Sequence, residues 1–182
     1  YMAPATKKLL MELPEKPEEL EMIKSLLNRD FHENAPVVFI GPYEHHSNVL
    51  MWRESLAELV EIKLNDEGFL DLDDLKRQVS DPRYAGRFKI GSFSAGSNVT
   101  GVKTPVYEVA KILHQNDALA CFDFAASGPY VEIDINKDEE SYFDAIYLSP
   151  HKFIGGPGSA GILMINNRVY NFNLPPTIVG GG

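Results

Sequence analysis

Cysteine is nearly missing from this 182-residue chain, which contains only Cys121. No intrachain disulfide can form, and nothing in the composition points to an oxidising compartment. Positive charge is scarce as well, with 17 Lys and Arg against 26 Asp and Glu for a formal net charge of -9. That balance works against nonspecific attraction to nucleic acid or to an anionic membrane surface. No apolar run approaches the length that spans a bilayer, and no signal peptide accompanies Asn98-Val99-Thr100, so its match to the glycosylation pattern reads as accidental. Neither the dinucleotide-binding fingerprint nor the phosphate-loop lysine pattern is present, which leaves a nucleotide-binding domain resting on glycine runs alone. These absences favour small-molecule chemistry in a cytoplasmic protein. What is present is a hydrophobic content of 44%, enough for one well-packed domain. The chain opens on Tyr1-Met2-Ala3-Pro4 and stops in Gly180-Gly181-Gly182, so both ends read as cuts within a longer protein.

Hydrophobic patterning gives a regular alternation. A short helix is expected over Ala5–Leu13, followed by a solvated acidic stretch, Glu15–Glu21. Pro36–Pro42 is a short apolar run closed by turn residues, as in a strand buried on both faces. Further helices are expected over Ser47–Leu59, Leu70–Val79 and Pro105–His114, and further strands over Leu59–Leu64, Phe88–Phe93, Ala118–Phe124, Phe143–Leu148 and Gly161–Ile165. Strands alternating with helices imply an α/β domain of three layers, a mostly parallel sheet with helices on both faces.

In such sheets ligands bind beyond the carboxyl ends of the strands. Four polar clusters follow predicted strands, Tyr43–Asn48, Ser94–Asn98, Asp123 and Ser149–Lys152, so one site can collect them all. Lys152 lies between a strand-like run and the loop Gly155-Gly156-Pro157-Gly158, whose glycines allow a tight turn. A confined lysine at a strand end can form a Schiff base, although a lone lysine before a turn is more often an ordinary surface residue. Asp123 closes an apolar run where an ionised carboxylate needs a cation, and a pyridinium nitrogen is one such cation; the competing role is the cap of a helix starting near Phe124. His45 can lie on an aromatic cofactor ring and exchange protons, or simply begin a helix with Ser47 or Asn48 as its cap. Adjacent histidines without a spaced third ligand argue against zinc. Asn98 offers hydrogen bonds to a ligand or serves turn chemistry, and Ser149 and His151 can bind a phosphate together with backbone N–H groups. Cys121, inside an apolar strand, is expected to be a buried, inert thiol.

Taken in order, Glu44-His45-His46-Ser47-Asn48, Ser97-Asn98-Val99-Thr100-Gly101, Asp123-Phe124-Ala125-Ala126 and Ser149-Pro150-His151-Lys152 resemble the class V aminotransferase family, in particular its cysteine desulfurase and selenocysteine lyase branch. The resemblance runs from about Val37 to Gly182. It implies the central part of the large domain of a fold-type I enzyme, with pyridoxal 5'-phosphate as cofactor, an amino acid as substrate and a homodimer as the working form. By the same resemblance Lys152 carries the cofactor and moves protons on the substrate, Asp123 pairs with the pyridine nitrogen, and His45 stacks on the ring. Asn98 then lies near the ring hydroxyl, with Ser149 and His151 as phosphate ligands. Many members have a glutamine where this chain has Ala126, a loss that Ser127 is placed to offset. The family's amino-terminal phosphate loop and its carboxyl-terminal small domain, with the substrate-carboxylate arginine and the sulfur-accepting cysteine, are expected to lie outside this chain. Two other functions stay open: an aminotransferase of different specificity, and a non-catalytic relative that uses its surface for partner binding.

Overall fold

The computed structural model describes residues 34–174. The helix expected over Ala5–Leu13 and the acidic stretch Glu15–Glu21 lie outside the described residues. Six strands form one sheet: β1 Val37–Ile40, β2 Glu58–Glu61, β3 Lys89–Ser94, β4 Ala118–Asp123, β5 Ala145–Leu148 and β6 Ile162–Ile165, in the spatial order β2-β1-β3-β4-β5-β6. The first five are mutually parallel, and β6 returns antiparallel to β5, with Ala145 opposite Ile165 and Leu148 opposite Ile162. Three helices lie between strands: α1 His46–Arg53, α2 Leu72–Val79 and α3 Val106–His114.

From β1 the chain crosses one way to β2 and then back over β1 to β3. Right-handed crossovers put α1 on one face and α2 and α3 on the other, in keeping with the contact of α1 with β3 and of α2 with α3. All four residues of β1 are buried, as its unbroken apolar run requires of a central parallel strand. The core continues through Phe39, Phe93, Phe122, Phe143 and Leu113. Gly91 lets α3 close on the sheet, since a Cβ there would lie 2.3 Å from Leu113 Cδ1.

Local departures from the sequence expectations have identifiable causes. The helix expected to run to Leu59 stops at Arg53, because Ser55 caps back onto the Trp52 carbonyl and Glu58 N–H is taken by the Pro36 carbonyl, which starts β2. Helix α2 starts at Leu72 rather than Leu70, because Asp71 accepts from the N–H groups of Asp73 and Asp74 while Leu70 bridges to Leu64. Strand β5 starts at Ala145, since the preceding Asp144 is engaged in a polar cluster.

That cluster sits at the amino-terminal pole of the strands. Asp144 is 1% exposed, and its Oδ2 accepts from Ala120 N–H at 2.9 Å and from His114 Nε2 at 3.0 Å. Its Oδ1 accepts from Arg168 Nη2 at 2.6 Å and Nε at 3.0 Å. His114 Nδ1 donates to the Glu140 carbonyl, and its ring stacks on Tyr142 at 4.0 Å. Burial opposes the charge on Asp144, but the bonds from His114, Ala120 and Arg168 prevail and hold its carboxyl below the usual carboxylate range. The unfolded chain therefore binds this proton more readily than the folded one. The stabilisation is complete above about pH 4, the ordinary carboxyl value, and is lost as the pH falls below it. Denaturant titrations from pH 6 to pH 3 should show a steeper loss for the native protein than for Asp144→Asn, which at pH 7 should already cost about 3 kcal/mol. Parallel curves for the two proteins would refute this role.

Candidate active site

The loops at the carboxyl edge of β1, β3, β4 and β5 enclose a cavity of about 320 Å³. It opens where the chain reverses direction across the sheet, the usual ligand position in open α/β sheets. All six residues singled out in the sequence line it: His45, Asn98, Asp123, Ser149, His151 and Lys152. Ser47, Ser94 and Gly96, members of the same polar clusters, join them, as do Ala125 and Ala126, which lie outside those clusters. An adjoining cavity of about 430 Å³ shares Gly96, Asn98, Ala126 and Lys152 and adds Lys103, Ser127 and Tyr130.

His45 has both of its anticipated positions at once. It is the amino-terminal cap of α1, its Nδ1 accepting from Ser47 N–H at 3.2 Å and lying 2.7 Å from Ser47 Oγ, and it borders the cavity. An accepting Nδ1 puts the ring proton on Nε2, the nitrogen left for a ligand. Neither Ser47 nor Asn48 is the cap. Asn48 is buried instead, with Nδ2 donating to Glu44 Oε2 and to the Ser92 carbonyl, and Oδ1 accepting from Ser92 Oγ and Trp52 Nε1. The His45 and His46 rings sit 6.4 Å apart at 48°, and among the described residues no group of three His, Cys, Asp or Glu could hold a metal ion.

Asn98 rides on a tight loop in which Ser97 Oγ accepts from the N–H groups of Val99 and Thr100, and Gly101 supplies the positive φ of 74° that closes it. Asp123 does not cap an α-helix, because the segment after it is a turn followed by a 3-10 helix, Gly128–Tyr130. Its Oδ1 accepts from Ala125 N–H at 2.7 Å, which leaves Oδ2 for a ligand. The neighbouring Tyr147 phenol is pushed up to about 12 by burial, with Cys121 and Asp123 adding to the shift, so it stays protonated.

Lys152 ends the 3-10 helix Pro150–Lys152, whose first turn is closed by Lys152 N–H on the Ser149 carbonyl at 3.0 Å. The glycines that follow have the expected use. Gly155 has φ 79°, and a Cβ on Gly156 would lie 1.9 Å from the Pro150 carbonyl oxygen, so the chain folds back on itself here. Ala126 contributes only a methyl group to the cavity, while Ser127 Oγ is buried, lacks a hydrogen-bond partner and lines the adjoining cavity.

Glu44 is the group to which sequence reasoning gave no role. It accepts from Gly41, Asn48 and Ser94, and burial, the largest influence, raises its carboxyl above the usual value against those bonds. A carboxylate in the short turn between an apolar strand and a helix was the available signal.

The fold and the edge cavity define an α/β domain of the type on which fold-type I pyridoxal phosphate enzymes are built. The model of the family "Aminotransferase class-V" matches residues 17–182, and the chain belongs to that family. A probable cysteine desulfurase of Pyrococcus abyssi is 32% identical over 169 residues, covering 90% of this chain and 39% of that protein. A probable cysteine desulfurase of Halalkalibacterium halodurans is 30% identical over 148 residues, covering 79% of this chain and 34% of that protein. Among solved structures, the apo cysteine desulfurase of Thermococcus onnurineus NA1 superposes with a TM-score of 0.68 at 27% identity, over 87% of this chain and 40% of that one. The chain thus spans between a third and two-fifths of the length of these relatives. Among the described residues no helix is long and apolar enough to cross a membrane.

Cys121 is free and buried in β4, and burial, with Asp144 adding to it, pushes its thiol up to about 12. So little thiolate is present near neutral pH that the native protein should resist iodoacetamide at Cys121 and react only when unfolded. Peptide mass spectrometry after alkylation at pH 8 reads this directly, and rapid native labelling at Cys121 would contradict it.

Proposed function

We propose that this chain is part of the large domain of a pyridoxal phosphate-dependent enzyme acting on an amino acid, of the cysteine desulfurase or selenocysteine lyase kind. The observation that carries the reading is the convergence of Lys152, Asp123, His45 and Asn98 on one cavity. The residues fit the cofactor chemically. The cavity volume falls within the range of small-molecule sites. An amine, a carboxylate with one unengaged oxygen, an imidazole with its proton on Nε2 and an amide without a hydrogen bond to the described residues together match an aromatic ring bearing a basic nitrogen and a hydroxyl.

On this reading Lys152 Nζ would be the covalent anchor and, once released, would hold and move the proton at the substrate α carbon. Asp123 would supply the counter-charge of the protonated ring nitrogen, and His45 would cover the ring with Nε2 available for proton exchange. Asn98 would donate to the ring hydroxyl oxygen, and Ser149 and His151 would bind the phosphate. Pyridoxal phosphate, when bound, supplies the electron sink for the charge that develops at the α carbon. The buried Cys121 is unsuited to accept sulfur, so an acceptor would come from outside the described residues. The large apolar residues exposed on β6 and after it, Ile162–Ile165, Tyr170, Phe172 and Leu174, support a partner surface, and a homodimer in the full protein is the proposed form. A reducing, cytoplasmic setting agrees with the single reduced cysteine.

Ala126 is the observation that favours the second reading, a non-catalytic relative. The experiment that separates the two uses the full protein with added pyridoxal phosphate. A near-visible band and borohydride fixation on Lys152, both lost in Lys152→Ala, are expected for the enzyme. Asp123→Asn should weaken cofactor binding and lower turnover by about 10²-fold or more, since a charge-assisted bond is replaced by a neutral one. A colourless protein, with Lys152→Ala indistinguishable from it, would overturn the proposal, and undiminished turnover in Asp123→Asn would remove Asp123 from the site.

A further inference from the structure

The turn between β1 and α1 holds a largely buried carboxylate that the chemistry above does not use. Glu44 Oε1 accepts from Gly41 N–H at 3.1 Å and from Ser94 N–H at 2.8 Å. Its Oε2 accepts from the same Ser94 N–H at 2.8 Å, from Ser94 Oγ at 2.7 Å and from Asn48 Nδ2 at 2.7 Å. The donors come from separate pieces of the fold: the end of β1, the end of β3 and the first turn of α1. Asn48 has no freedom to rotate, because Ser92 and Trp52 occupy its remaining polar positions.

None of these donors is a cation. A carboxylate taken out of water and given only neutral donors is costly, and a closed turn alone does not require one. What the arrangement does require is an acceptor with enough lone pairs for donors converging from several directions, which among side chains only a carboxylate provides. His45 is the next residue along the chain. On the other side, Ser94 borders the cavity, and the N–H of its neighbour Ala95 donates to the Asp123 carbonyl at 2.9 Å. Glu44 therefore stands between the two walls of the cavity.

We propose that Glu44 is the positioning residue for His45, its carboxylate pinning the β1–α1 turn to the end of β3 so that the imidazole keeps its place opposite Asn98 and Asp123. Only the cofactor arm of the test rests on the function proposed above. Glu44→Gln keeps the shape but turns one acceptor into a donor facing Asn48 Nδ2. Gly41→Ala reaches the same contact without removing the charge, since the new Cβ would lie 2.6 Å from Glu44 Oε1.

In the full protein without added cofactor, diethyl pyrocarbonate labelling followed by peptide mass spectrometry reads His45 against its neighbour His46 as internal reference; both residues are exposed, but His45 Nδ1 is engaged by Ser47 N–H. Both variants should raise the His45-to-His46 labelling ratio about threefold, as the loosened turn weakens the neutral hydrogen bond from Ser47 N–H that occupies His45 Nδ1. With pyridoxal phosphate added, their affinity should fall about tenfold, and the fall should vanish when His45 is already Ala, because the two residues act as one unit. Folded variants that keep the native labelling ratio would overturn the proposal, as would an affinity loss that adds in full to that of His45→Ala. Should Glu44→Gln fail to fold, Gly41→Ala decides. If the native protein itself takes up no pyridoxal phosphate, the proposed function falls and the labelling ratio alone decides the role of Glu44.

Discussion

The pairing of β1 with both β2 and β3 is the constraint on which the rest of the structure depends. Val37 is in register with Glu58 on one side and Lys89 on the other, and Ile40 with Glu61 and Ser92. Because both neighbours are parallel, the chain must leave β1 in one direction and return across it in the other. The loops after β1 and β3 then diverge over opposite faces of the sheet, and a crevice opens between them. His45 follows β1 and Asn98 follows β3, so their meeting at one cavity is a consequence of strand order rather than of anything local to either loop. Burial of all four β1 residues makes that order hard to change, since a slip of one residue would reverse which side chains face each layer.

Much of this was legible in the sequence because the signals were of the kind periodicity carries well. Every expected strand from Val37 onward is present within a few residues, β1, β5 and β6 as unbroken apolar runs and β2 and β3 with polar residues among the apolar ones. Boundaries were less legible because partners far away in sequence set them. Glu58 belongs to β2 through the Pro36 carbonyl, and Leu70 is held out of α2 by Leu64. The gathering of the six candidate residues at one cavity followed from the rule that ligands sit beyond strand ends. What the sequence did not disclose was the use of polar groups already committed to the fold. Asn48 looked like a helix cap and is a buried strut. Asp123, for which a helix cap was the role competing with that of a cation partner, holds a turn with one oxygen. Reading such residues requires knowing which backbone N–H groups lie nearby, and that is tertiary information.

Two carboxylates at opposite poles of the sheet, Asp144 buried and Glu44 largely so, show how environment divides one chemistry into different uses. Asp144 is met by Arg168 and His114, and its carboxyl is held low. Glu44 meets only neutral donors, and burial drives its carboxyl up. The first arrangement ties strands together through charge and is relieved by acid. The second gains nothing from a cation and depends on the number and direction of its hydrogen bonds, which suits a group that sets geometry rather than one that supplies adhesion.

The two poles are also linked mechanically through the segment that carries Lys152. One end of that segment leaves β5 at Ser149, and the other is the antiparallel β6, whose residues are exposed on both faces. Among the described residues β6 is an edge strand with little burial that draws small stability from packing, so its backbone pairing to β5 gains from a second fastening. Arg168, three residues beyond β6, supplies it by closing on Asp144 immediately before β5. The loop from Ser149 to Gly161 is thus held at both ends, by strand pairing near the cavity and by an ion pair at the far pole. Within it, the first turn after Ser149 and the fold-back at Gly155 and Gly156 take up the remaining slack. The segment that carries Lys152 is therefore secured by a residue at the opposite end of the sheet, and damage at Asp144 is expected to reach Lys152 through β6 rather than through the core.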